Sequence, residues 1–277
     1  EIAQCLVGSE MCIRDSDYKN KLPLSRYNAK ILNHRNEVKC MIAIIDYDAG
    51  NLRSVEKALL SLGETPVITR DRKTILKADK VILPGVGSFG DAMGKLEQYG
   101  LVDVIHETVD QGTPFLGICL GMQVAVIEYA RNVLAWSDAN SSEFDPECTH
   151  PVIDLMPDQQ GNLPKGGTMR LGAYPCEIQP GTVLERAYQR RSVGERHRHR
   201  YEFNNSYRQQ LEEAGLVISG TSPDGRLVEA VELPGHDFYV GVQYHPEFKS
   251  RPNRAQPLFR EFIAAALKKQ GKISEKN

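Results

Sequence analysis

The chain has 277 residues, 41% hydrophobic and 25% charged, with 34 Lys and Arg against 36 Asp and Glu for a formal charge of -2. That composition fits one large globular domain or two small ones and excludes collagen-like and disordered polymers. The charge balance leaves no basic surface for nucleic acid, and no apolar run reaches the roughly 18 residues that span a membrane.

Residues 1–40 show no sustained period of 2 or 3.6, and they lack an initiator Met and a secretion-signal pattern. Cys5 to Ser16 resembles translated sequencing-adapter DNA. The segment reads as a non-native or disordered leader, with a patterned domain over 41–272 and a tail at 273–277. Met41-Ile42-Ala43-Ile44-Ile45-Asp46 is an apolar, β-branched run that predicts a buried strand. Leu52, Val55, Leu59 and Leu62 then recur at helical spacing up to Gly63. Pro66–Thr69 predicts a second strand and Val81–Leu83 a third, stopped by Pro84-Gly85. A helix carrying Val102, Val104 and Ile105 precedes a fourth strand, Pro114–Ile118, and another helix runs through Val124–Ala130. Strands at 152–155, 169–172, 216–219, 227–231 and 238–242 and a closing helix at 258–267 complete the pattern. Alternating strands and helices imply an α/β domain of roughly 230 residues: a mostly parallel central sheet with helices on both faces.

The six cysteines (Cys5, Cys12, Cys40, Cys119, Cys148 and Cys176) include no Cys-x-x-Cys pair. Neither a disulfide framework nor a metal site is expected, no cofactor is implied, and a reducing, cytoplasmic compartment is. Cys119 stands apart. Gly117-Ile118-Cys119-Leu120-Gly121 joins a strand to a helix with the spacing of a nucleophile elbow. A helix N-terminus there favours an anion, and the Leu120 amide faces a developing oxyanion. His245 lies just past the last strand in Gln243-Tyr244-His245-Pro246-Glu247, where it can act as base with Glu247 as its orienter. Pro84-Gly85-Val86-Gly87-Ser88-Phe89-Gly90 follows the third strand. It lacks the Lys and Ser/Thr of a phosphate loop, so its better role is a second oxyanion amide, from Val86. His34, His106, His150 and His236 fall in poorer places.

Together these elements resemble the class I (triad) glutamine amidotransferases, of flavodoxin-like type, from Met41 to about Leu267. The resemblance implies that Cys119 attacks the side-chain amide of glutamine and that ammonia passes to a synthase domain or subunit. Two families share the likeness. Residues 41–116 resemble the glutaminase subunit of imidazole glycerol phosphate synthase through Ile44-Ile45-Asp46-Tyr47 and Gly50-Asn51-Leu52-Arg53-Ser54-Val55. Residues 124–267 resemble the C-terminal glutaminase domain of CTP synthase. The carriers there are Gly166-Gly167-Thr168-Met169-Arg170-Leu171-Gly172, Arg196-His197-Arg198-His199-Arg200-Tyr201-Glu202-Phe203-Asn204 and His245-Pro246-Glu247-Phe248-Lys249-Ser250-Arg251-Pro252. The likeness switches near 116–124, which implies a hybrid of two genes.

The resemblance further implies that Gly85, Gln123, Glu143 and Arg198 bind the glutamine. A carboxylate suits its ammonium and a guanidinium its carboxylate. CTP synthase has Gly-Gly where this chain has Gly85-Val86, so the loop is expected to need a partner to switch it on. The implied partner is a CTP synthetase domain or, alternatively, an imidazole glycerol phosphate cyclase subunit. Rival readings are a peptidase-like Cys hydrolase, a regulatory pseudoenzyme and a misassembled hybrid chain without a native function.

Overall fold

Four consecutive buried side chains make Ile42–Ile45, strand β1, an interior strand of a sheet. The computed structural model that contains it describes residues 40–87, 89–155, 169–251 and 253–269. The leader up to residue 39, Ser88, the Gly166-Gly167-Thr168 motif, Pro252, the side chain of Leu267 and the 273–277 tail lie outside the described residues.

Helix α1 (Leu52–Leu60), β2 (Val67–Thr69), α2 (Arg72–Lys77) and β3 (Lys80–Gly85) follow β1 in βα alternation. Asp71 caps α2, its carboxylate accepting from the Thr74 N–H at 2.8 Å. Next come α3 (Phe89–Gln98), α4 (Leu101–Asp110), β4 (Phe115–Cys119) and α5 (Leu120–Val133). The second half is richer in strands. It contains β5 (Asn140–Ser141), β6 (Pro151–Asp154), β7 (Arg170–Ile178), α6 (Val183–Tyr188), β8 (Ser192–His199) and β9 (Glu202–Phe203). A 3-10 turn at Asn205–Tyr207 leads to α7 (Arg208–Glu213), β10 (Val217–Thr221), β11 (Val228–Glu232) and β12 (Tyr239–Val242). A 3-10 turn at Pro246–Lys249 and α8 (Pro257–Lys269) close the described chain.

Among the described residues one sheet has nine strands in the order β2-β1-β3-β4-β12-β11-β10-β7-β8. The wing from β2 to β12 is parallel, and the wing from β12 to β8 is antiparallel. Helices α2 to α5 and α7 pack one apolar core on one face; α1, α6 and α8 pack a second core on the other. β4 pairs with β3 from the first half and β12 from the second, so the 116–124 junction lies in the middle of a continuous sheet.

One sequence expectation needs correction, and the structure adds elements in stretches where none was expected. β3 continues through Pro84 and Gly85, which pair with Ile118 and Cys119. Pro84 sits one residue from the strand end, where a missing N–H costs the ladder little, and its carbonyl accepts from the Tyr47 hydroxyl at 2.7 Å. The Arg196–Arg200 run belongs mostly to strand β8, paired along its length with β7. Helices α2 and α3 occupy stretches in which no helix was expected. No helix of the described residues is long and apolar enough to cross a membrane.

Candidate active site

Parallel pairing brings the proposed site residues to one edge of the sheet. Gly85 stands opposite Cys119, and Val242 stands opposite Ile118. The three strands therefore end side by side, and the segments after them meet at their carboxyl edge, where open α/β sheets hold ligands. Cys119 has φ 54 and ψ -103, a left-handed conformation that strains a residue with a Cβ. Helix α5 starts at the next residue, so the sulfur sits where the helix's first N–H groups have no partner within the helix.

Two glycines let this turn close. A Cβ on Gly121 would lie 2.2 Å from the Leu83 carbonyl oxygen, and one on Gly85 would lie 2.3 Å from the Leu120 Cβ. Gly121→Ala is therefore expected to lose about 1–3 kcal/mol of stability, the usual cost of overpacking. Thermal melts check it; an unchanged melting temperature would show that the turn relaxes freely.

His245 is fully buried, and its Nδ1 lies 2.9 Å from Glu247 Oε1. A carboxylate accepts, so Nδ1 holds the proton and Nε2 is left for Cys119. Burial alone would lower the His245 pKa, but the charge and hydrogen bonding of Cys119 and Glu247 outweigh it and raise it to about 10. Nε2 makes no hydrogen bond of ordinary geometry, so the sulfur acts on it chiefly through charge. The Phe248 ring stacks on the imidazole at 4.9 Å, and the His245 N–H donates to the Arg196 carbonyl at 2.8 Å.

Three contacts escaped sequence reasoning. Asn51 Nδ2 donates to Glu247 Oε1 at 3.4 Å across 196 residues of chain. Gln243 Nε2 donates to Cys119 Sγ at 3.7 Å. Tyr47 ties β1 to Pro84, and burial raises the pKa of its phenol. Asn51 and Gln243 both stand inside motifs already singled out, Gly50-Asn51 and Gln243–Glu247; only the pairing of the strands reveals what they touch.

The expected substrate residues separate. Gly85 and Val86 lie beside the nucleophile, Val86 half-buried after β3. Leu120 is buried at the first turn of α5. Gln123 is buried one turn into α5, and its amide donates to the Tyr201 carbonyl at 2.9 Å and to Gln243 Oε1 at 3.2 Å. Glu143 is half-buried after β5, and its charge helps burial to raise the Tyr201 pKa. Arg198 is exposed on edge strand β8, opposite the exposed Leu171. Strand alternation turns it outward while Glu195, His197 and His199 turn in. The guanidinium beside Tyr201 is that of Arg200, whose Nε is buried without a hydrogen-bond partner among the described residues. Among the described residues, no group of three or more His, Cys, Asp or Glu side chains is placed to hold a metal ion.

A strained cysteine between a parallel strand and a helix, with a carboxylate-oriented histidine from the adjoining strand's end, defines a class: α/β proteins built around a cysteine elbow. Within that class the chain belongs to the family described as "Glutamine amidotransferase class-I", which matches residues 43–265. It is similar to CTP synthase of Pelotomaculum thermopropionicum, 56% identical over 191 residues, or 69% of this chain and 34% of that protein. CTP synthase of Carboxydothermus hydrogenoformans is 52% identical over 218 residues, 79% of this chain and 38% of that one. The chain thus spans about a third of the length of these relatives. A match of 218 residues within 277 begins no later than residue 60, so likeness to CTP synthase runs across the 116–124 junction. The solved glutaminase domain of Trypanosoma brucei CTPS with bound acivicin superposes with a TM-score of 0.72 at 34% identity. It covers 83% of this chain and 94% of that one.

Proposed function

We propose that this chain hydrolyses glutamine to glutamate and ammonia and delivers the ammonia to a CTP synthetase domain. The observation that carries the chemistry is the 2.9 Å bond from His245 Nδ1 to Glu247, which leaves Nε2 facing the strained Cys119. The Cys119 thiolate attacks the carboxamide carbon. The oxyanion that forms is met by the Leu120 N–H and by a peptide N–H of the Gly85–Val86 loop. Protonated His245 gives its proton to the departing amine, so ammonia leaves and a γ-glutamyl thioester remains. His245 then takes a proton from water, the hydroxide attacks the thioester carbonyl, and glutamate departs as the thiolate returns. Glu143 and Arg200, both acting on Tyr201, supply the charges that match the substrate's ammonium and carboxylate. Arg200 takes the place assigned above to Arg198. The free cysteines of the described residues, Cys40, Cys119, Cys148 and Cys176, suit a reducing compartment, and on that ground we place the chain in the cytoplasm.

The full chain incubated with glutamine is expected to form glutamate, and to do so faster when a CTP synthetase domain is added. Faster turnover with a cyclase subunit instead would move the chain to the other pathway. Turnover of peptides without turnover of glutamine would overturn the reading.

A further inference from the structure

Gln243 and Gln123 form a two-amide relay that ends on the nucleophile. Gln243 is fully buried and donates through Nε2 to Cys119 Sγ at 3.7 Å. Its Oε1 accepts from Gln123 Nε2 at 3.2 Å, and the same Nε2 donates to the Tyr201 carbonyl at 2.9 Å. The direction of this chain is fixed by its far end. A backbone carbonyl can only accept, so the Gln123 amide must turn its NH2 toward Tyr201. That NH2 has two protons and uses the second on Gln243, whose oxygen must therefore face Gln123. The Gln243 NH2 is left on the other side, against the sulfur. Flipping Gln123 would set acceptor against acceptor, and flipping Gln243 would set donor against donor, in a buried site where an unmade hydrogen bond costs the desolvation of both groups.

From this geometry we infer that Gln243 is a catalytic residue that donates an N–H to the Cys119 thiolate, and that Gln123 is a positioning residue that orients it. The inference rests on the glutaminase reading for its purpose and on the hydrogen bonds for its substance. A donor aimed at an anionic sulfur stabilises the attacking form and holds it in place between His245 and the substrate. Gln123 keeps its own carbonyl oxygen free of this task, which is compatible with its expected contact to substrate. Tyr201 also joins the two halves of the site. Its carbonyl anchors the relay, and its side chain lies within the electrostatic reach of Glu143 and Arg200.

The test is alkylation of Cys119 in the full chain by iodoacetamide, followed by peptide mass spectrometry so that the other cysteines do not interfere. Glutamine plays no part in it, so failure here is distinct from failure of the glutaminase reading, which wild-type glutamine turnover checks. Gln243→Met is expected to slow alkylation at pH 7 about tenfold, the loss of one hydrogen bond to a charged acceptor. Gln243→Glu keeps the shape, accepts from Gln123 and presents an oxygen to the sulfur, so it is expected to lose at least as much. Gln123→Met is expected to slow the reaction about threefold alone and not at all in the Gln243→Met background. The deficits are expected to shrink at alkaline pH; a sulfur that was merely displaced would stay slow at every pH. If one Gln243 variant fails to fold, the other and Gln123→Met still decide. Wild-type alkylation rates in a folded Gln243 variant, additive effects of the two substitutions, or deficits independent of pH would overturn the proposal.

Discussion

Cys119→Ala is expected to reduce glutamine hydrolysis by about 10⁴-fold or more, since the remaining site has no nucleophile with which to form the thioester. Binding is expected to survive, because the substitution leaves the proposed binding charges, Glu143 and Arg200, in place. Calorimetric titration with glutamine and a turnover assay on the same preparation separate the two. The substitution also has an electrostatic signature. Burial pushes the His245 pKa down; Cys119 and Glu247 together push it up to about 10. Removing the sulfur deletes the largest upward influence, so the imidazole is expected to titrate well below its wild-type value, as read by NMR. Turnover retained in Cys119→Ala would remove the catalytic assignment altogether. Retained turnover lost on His245→Ala would instead point to water attack assisted directly by the imidazole.

The three residues proposed for catalysis share one property: Cys119 ends an apolar strand, and His245 and Glu247 follow just after one. The runs Ile42–Ile45 and Phe115–Cys119 are wholly buried, so composition alone marks them, and glycines mark the turns that follow. The positions of Cys119, His245 and Glu247 at one edge of the sheet were legible for that reason. Strand β8 was not. Its inward residues are Glu195, His197 and His199 and its outward ones Arg196 and Arg198, so a strict alternation of two polar types hides a strand that hydropathy cannot see. For the same reason the pattern could not tell that Arg198 faces outward while the Arg200 Nε is buried. Gln243 and Asn51 were invisible for a different reason. Their partners lie 124 and 196 residues away, and only the order of strands in the sheet puts them together. The change of family likeness expected near 116–124 has no structural counterpart: β4 is paired on both sides and feeds directly into α5.

Arg170→Met is expected to cost about 3–5 kcal/mol of stability above pH 8, the penalty for removing one partner of a buried ion pair. Arg170 on β7 reaches Glu202 at 3.1 Å and Glu229 at 2.8 Å, with all three side chains buried, and its guanidinium lies 4.6 Å from the Tyr174 ring centre. His197 and His199 complete the cluster, 2.8 Å apart. The pH dependence has two limbs. Burial raises the Glu202 pKa to about 8 against the pull of Arg170, with Glu229 adding to the rise. The folded chain then keeps a proton that the unfolded chain loses near 4.5, so this contribution to stability falls as pH rises from about 4.5 to about 8. Burial, followed by Arg170, lowers His197 to about 2 and His199 to about 3. There the unfolded chain binds the extra protons, so stability falls as pH drops from about 6.5 to about 3. The cluster therefore favours the fold most between about pH 4.5 and 6.5. Without Arg170 the carboxyls lose their opposing cation and titrate higher still, which steepens the alkaline limb; the histidines lose a repelling cation, which softens the acid one. The variant's deficit is thus expected to be largest above pH 8 and to shrink steadily as pH falls, to a small value at pH 5 and below, in denaturant unfolding. Adding Glu202→Gln and Glu229→Gln to Arg170→Met removes the orphaned charges and is expected to recover part of the loss at pH 8 and little at pH 5. A deficit equal at every pH, and unaffected by the two glutamines, would show that Arg170 contributes packing on Tyr174 and no charge compensation.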